Sequence, residues 1–163
     1  MPAVAAAASG VREVPQDRRT VWRALAVLEP YCAVCDVSYV VHGSSHFVHG
    51  TGLGTTFVCV PGRLDGSAPD PGAARGEIVG WKPGRRVDTR LDLPSETWTT
   101  RIELTDTDSG GTRVTMTLGL EPRDGNRLIR RVQRRTRQRL VQRTLDAELD
   151  RVPAHIERPD VRG

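Results

Sequence analysis

The sequence has 163 residues, 37% of them hydrophobic and 27% charged, with a net charge of +4. That is enough chain for a real core in one globular domain, and no apolar run approaches the roughly 18 residues of a membrane helix. Three cysteines, an odd number, argue against a disulfide framework. The opening MPAVAAAASG lacks the basic segment of a secretion signal, so a cytoplasmic protein without membrane insertion is expected.

In chain order, residues 1–10 read as a tail or the start of a first strand, since alanine is a poor strand former and Ser9-Gly10 interrupts the run. Pro15-Gln16-Asp17 opens a helix whose apolar face is Val21, Trp22, Leu25 and Leu28, and Glu29-Pro30 ends it. From Val37 the period becomes strand-like through Tyr39 and Val41, with Phe47-Val48 beyond. Thr55 to Val60 is a further strand. Pro61 to Gly76 reads as a long loop rich in Gly, Pro and Asp, and such loops often act as lids. Glu77 to Trp81 is a strand closed by a Lys82-Pro83-Gly84 turn. Then Val87, Thr89, Leu91 and Leu93 alternate with polar residues, as do Trp98, Thr100, Ile102 and Leu104, and Val114, Met116, Leu118 and Leu120. Three such strands make an antiparallel meander with one apolar face.

The stretch from Asn126 to about Pro153 holds no Gly or Pro in its interior and reads as one helix about 40 Å long. Val141, Leu145, Leu149 and Val152 form its apolar stripe; followed backwards, the stripe meets Gln138, Arg134 and Arg131. The second half is therefore buried. The first half either swings away or points polar groups at what it covers. Residues 123–143 hold nine Arg and one Asp, a local charge of +8 that leaves −4 elsewhere. No aromatic is interleaved for stacking bases, so a solvated face is expected and no specific nucleic-acid partner. Residues 11–153 form the expected domain, with 154–163 as a C-terminal tail.

Several short stretches resemble one family in order and spacing. Val14-Pro15 precedes Val21-Trp22-Arg23-Ala24-Leu25; Gly52-Leu53-Gly54-Thr55 forms a G-x-G-T turn; Gly76 to Pro83 ends in W-x-P before Arg85-Arg86; and Gly110-Gly111-Thr112-Arg113-Val114 forms a hairpin. Together these resemble the START-like helix-grip superfamily, and within it the polyketide cyclase/dehydrase-type (SRPBCC) proteins, over roughly residues 11–152. The resemblance implies an α+β fold in which a curved antiparallel sheet grips a long C-terminal helix, with an internal cavity for an apolar or aromatic small molecule. It carries no common catalytic set, so the catalytic residues are unknown from sequence. Where relatives tend to place Trp, this chain has Cys32 and Cys35, and its aromatic content is only 4%.

Cys32-x-x-Cys35 with His42, His46 and His49 downstream has the residue types of a zinc site, but the spacing is too short and strand-like for a structural zinc module. The expectation is no metal and no cofactor. No G-x-S-x-G, H-E-x-x-H or P-loop spacing occurs. The candidate ligand-binding residues are Trp98, Thr100, Met116, Leu118 and Thr89 on the sheet, with Gln138 and Arg134 from the helix. They describe a pocket apolar at its base and polar at its mouth. The leading expectation is binding of a lipid- or polyketide-like molecule by a monomer or homodimer. A cyclase, aromatase or dehydratase using the same cavity, with Arg134 or Gln138 polarising a ketone, is the alternative. An interaction module built on the Arg-rich helix is the third.

Overall fold

The structure is a computed structural model that describes residues 5–43, 51–123 and 125–158. The chain folds in the order β1 (Ala6–Val14), α1 (Arg18–Ala26), β2 (Tyr31–Cys32), β3 (Val37–Gly43), β4 (Thr56–Pro61), β5 (Ala74–Lys82), β6 (Arg86–Asp92), β7 (Glu96–Asp106), β8 (Thr112–Pro122), α2 (Arg127–Val132) and α3 (Arg134–Ile156). All eight strands form one antiparallel sheet in the order β1-β8-β7-β6-β5-β4-β3-β2. α1 thus carries the chain from one edge of the sheet to the other. Asp17 caps it, its carboxylate accepting from the Thr20 amide at 3.0 Å and the Thr20 hydroxyl at 2.8 Å.

The period-2 segments become β6, β7 and β8, paired antiparallel in sequence order. Thr89, Thr100 and Leu118 lie in one cross-strand row; Leu91, Trp98 and Leu120 form the row on one side, and Val87, Ile102 and Met116 the row on the other. β1 pairs along the free side of β8 from Ala6 to Val14 without interruption at Ser9-Gly10. The poor propensity of alanine is overridden by packing. Ala6, Ala8 and Gly10 face inward beneath α3, and small residues let the helix axis approach the strand. A Cβ on Gly10 would lie 2.6 Å from Leu149 Cδ1 and 3.4 Å from Leu145 Cδ2.

α3 buries the expected stripe, with Val141, Leu145 and Val152 at 0% exposure and Leu149 at 8%, and Ile156 extends it. Two expectations for this region need correction. The helix is not continuous from residue 126: Gln133, at φ −83° and ψ −3°, separates α2 from α3. α2 buries no residue, so no packing holds it in line. Nor does Pro153 stop the helix. It sits in the last turn, where its missing N–H removes a single bond, and burial of Ile156 one turn on offsets that loss. β1 and α3 both extend past residues 11 and 153.

A second apolar cluster, Phe57, Ile78, Val87 and Ala26, fills the other half of the sheet. Trp22 and Ile102 pack against both clusters, and Trp22 meets Trp81 edge-on at 4.9 Å between ring centroids. The loop expected at Pro61 to Gly76 is shorter, because β4 keeps Pro61 and β5 begins at Ala74.

One substitution tests this packing. Phe57 pairs across the sheet with Gly76, and a Cβ there would fall 2.1 Å from the ring's Cζ. Phe57 is buried, with its ring edge-on to Tyr39 at 5.7 Å between centroids. Gly76→Ala should cost about 1–3 kcal/mol in denaturant unfolding. A neutral result would show that the ring moves freely.

On the outer face, Asp88 accepts from Arg86 Nε at 2.9 Å and Arg101 Nε at 2.8 Å. Partial burial raises its pKa, but the two guanidinium groups outweigh that and hold it below the usual carboxylate range. A depressed folded pKa means the stabilisation is complete above about pH 4 and is lost as pH falls further. Asp88→Asn should cost about 1–2 kcal/mol near neutrality, a figure discounted because Arg101 is half exposed. It should also flatten the loss of stability below pH 4, measured by thermal unfolding across pH; an unchanged acid slope would remove Asp88 from the account.

Candidate functional site

The two apolar clusters leave a cavity of about 150 Å³ where α1, β7, β8 and the last turns of α3 meet. Leu25, Leu28, Tyr39, Ile102, Met116 and Val152 supply its apolar wall. Its polar groups are Cys32, Cys35, Glu148, His155, Glu29 and Arg158. β2 is only two residues long, and residues 33–36 turn back into β3 with Asp36 at φ +52°. Three bonds fix that turn. Tyr31 donates its hydroxyl to Asp36 Oδ1 at 2.7 Å, the Gly62 amide donates to Asp36 O at 2.7 Å, and the Tyr39 amide donates to Pro30 O at 3.0 Å.

The turn presents Cys32 and Cys35 to the last turn of α3. Cys32 Sγ lies 3.7 Å from His155 Nδ1, and Cys35 Sγ 3.6 Å from His155 Nε2. Arg158 folds back over this end with its side chain 10% exposed. It donates to Ala24 O at 3.2 Å, to His155 O at 3.2 Å and to Cys32 Sγ at 3.6 Å, and lies 3.5 Å from Glu29. Burial, with the nearby Glu148 charge, pushes the Cys35 thiol up to about 12. Burial also pushes His155 down to about 4, helped by Arg158 and Arg151. Near neutrality the thiol therefore keeps its proton and the imidazole is uncharged. Such a set can hydrogen-bond a carbonyl or hydroxyl, or exchange protons for a metal ion.

The sheet residues expected to bind ligand do share one face, but only Met116 lines this cavity. Leu118 is buried in the larger cluster, and Trp98 packs against it while donating its ring N–H to Glu96 at 2.8 Å. Thr89 and Thr100 are half-buried one cross-strand row from Ile102 and Met116. Gln138 faces β1, where its amide donates to Ala7 O at 2.6 Å and accepts from Ala7 N at 3.4 Å. Arg134 is exposed. The two helix residues thus lie away from the cavity, which sits under the apolar half of α3.

Of the histidines weighed as metal ligands, His42 is exposed and borders a separate cleft with Thr56, Val58 and Arg75. His46 and His49 lie outside the described residues. The histidine that reaches the cysteines is His155, which the sequence reading missed. Its one signal was spacing, three residues past Val152 and beside the buried stripe. The 62–73 loop contributes nothing to the cavity wall. The arginines of α2 and early α3 are largely exposed, and Leu128, Ile129 and Val132 are exposed among them at 72%, 51% and 79%.

No protein-family model and no curated protein matches the sequence. Solved structures match on fold. The Zhui aromatase/cyclase from Streptomyces sp. R1128 aligns with a TM-score of 0.65 and 15% identity, over 93% of this chain and 93% of that one. TTHA0849 from Thermus thermophilus aligns at 0.62 and 17%, over 92% and 96%. CalU16 from Micromonospora echinospora aligns at 0.54 and 14%, over 96% and 79%. At these identities the likeness is one of architecture, and with it the helix-grip fold inferred from the sequence motifs stands: a curved antiparallel sheet around a long C-terminal helix. No helix among the described residues is long and apolar enough to cross a membrane.

Proposed function

We propose that the protein binds a small apolar or aromatic molecule bearing one polar group in the cavity between α1, the β7–β8 sheet face and the end of α3. The observation that carries this reading is the division of the cavity wall. Ile102, Met116, Leu25 and Val152 offer dry surface, while Cys32, Cys35 and His155 converge at one end, where the Cys35 thiol keeps its proton and the His155 imidazole is uncharged at neutral pH. A ligand gains its affinity from the first set and its orientation from the second.

Size limits the ligand. A cavity of about 150 Å³ takes a single aromatic ring, below the roughly 300 Å³ at which drug-sized pockets begin. A lipid- or polyketide-like molecule requires α1 and the Arg158 latch to part from α3. The aromatase/cyclase among the structural neighbours supports cyclisation or dehydration as the second reading, with His155 rather than Arg134 or Gln138 in reach of the ligand. Release of the ligand unchanged supports carriage; a changed product supports the enzyme.

Indole and toluene are suitable probes, followed by ligand-induced NMR shifts. Ile102→Trp fills the cavity from β7 and should abolish binding while the Tm stays level or rises. Thr100→Trp, which does not line the cavity, should leave binding in place. If the parent binds neither probe and Ile102→Trp costs about 1–3 kcal/mol, the space is ordinary core.

A further inference from the structure

We propose that Cys32, Cys35 and His155 form a site for a zinc-type divalent cation, with three protein ligands and a fourth position open to the cavity. In a tetrahedral zinc site, bonds of about 2.3 Å to sulfur and 2.0–2.1 Å to nitrogen place sulfur and nitrogen ligands about 3.6 Å apart. The two sulfur–imidazole separations here are 3.7 and 3.6 Å. They involve different ring nitrogens, and one metal takes only one of them. Each of the three residues nevertheless offers one donor atom within 4.8 Å of the other two, so a single imidazole nitrogen lies near both sulfurs.

Two further features separate this cluster from chance burial of small apolar thiols. The donors come from opposite ends of the chain, 120 or more residues apart, yet meet at one point. The 33–36 turn also folds tightly enough to bring two cysteines at i and i+3 to the same imidazole. Asp36, the non-glycine residue at positive φ among the described residues, closes that turn directly after Cys35. Such a conformation costs free energy in a non-glycine residue and persists where its surroundings hold it.

Charge also balances. Two thiolates and a neutral imidazole neutralise a divalent ion. Arg158, already directed at Cys32 Sγ, supplies the hydrogen bond that tunes a metal-bound thiolate. Glu148 lies two turns before His155 on α3 and lines the same cavity. On formation, each cysteine that ligates releases one proton to solvent; no redox change occurs.

The experiment uses untagged, fully reduced protein. Elemental analysis after equilibration with micromolar zinc should give one metal per chain. Cobalt(II) in its place should show the intense red-region bands of a tetrahedral ion and a near-ultraviolet sulfur-to-cobalt charge-transfer band. Cys35→Ser should remove the charge-transfer intensity in part and weaken binding at least tenfold, while Cys59→Ser and His42→Ala leave both unchanged. Should Cys35→Ser fail to fold, the parent decides alone: bound zinc should slow the reaction of two thiols with a disulfide reagent, and chelation should restore it. Absence of metal at micromolar zinc, or a cobalt spectrum without charge transfer, overturns the site. Ile102→Trp should not affect metal binding, so failure here is distinguishable from failure of ligand binding.

Discussion

The seating of α3 on the edge strand β1 is the constraint on which the rest of the structure depends. β1 is small where the helix crosses it, with Ala6, Ala8 and Gly10 beneath Leu145 and Leu149. Close approach buries five aliphatic side chains along α3. At about 1.5–3 kcal/mol each before conformational costs, they far exceed any contribution from helix propensity. The edge itself is covered by a side chain: Gln138 pairs with both backbone groups of Ala7, as a neighbouring strand would. An edge paired in this way offers less to another chain. It also fixes where along β1 the buried half of α3 begins.

Once that start is fixed, the end follows. Twenty-three residues of helix, about 35 Å, carry His155 and Ile156 across the sheet to the β2–β3 corner. There the chain meets α1 and the Cys32–Cys35 turn. The larger apolar cluster belongs to α3, β1 and β8; the smaller belongs to β4, β5 and β6. Trp22 and Ile102 bridge them, and the cavity is the space left beside Ile102 at that seam. Its polar end exists because three separate segments terminate at one place, each bringing polar or sulfur groups.

What was legible in the sequence was what local periodicity encodes. The meander could be read because Val87 to Leu120 alternates strictly, and Val141 to Val152 because one stripe at helical spacing admits one reading. The break at Gln133 was not legible, since both flanking segments consist of good helix formers and only the absence of packing around α2 separates them. β1 was obscured by alanines, whose value lies in what they allow α3 to do. Residue 153 showed the reverse failure: a proline read as a stop is tolerated where Ile156 gains burial beyond it. The candidate sheet residues share one face, yet Met116 alone among them lines the cavity, because alternation identifies a face without saying which half of a helix covers which row. The meeting of Cys32, Cys35 and His155 depends on the whole fold, and nothing local announces it.

The most direct measurement is crystallographic: xenon under pressure, which seeks apolar surface such as the Ile102, Met116 and Val152 end of this cavity. The account predicts a xenon peak between Ile102, Met116 and Val152, beneath the last turns of α3, that disappears in Ile102→Trp crystals. A peak opposite Gln138 and Arg134, or none anywhere between the sheet and α3, would contradict it.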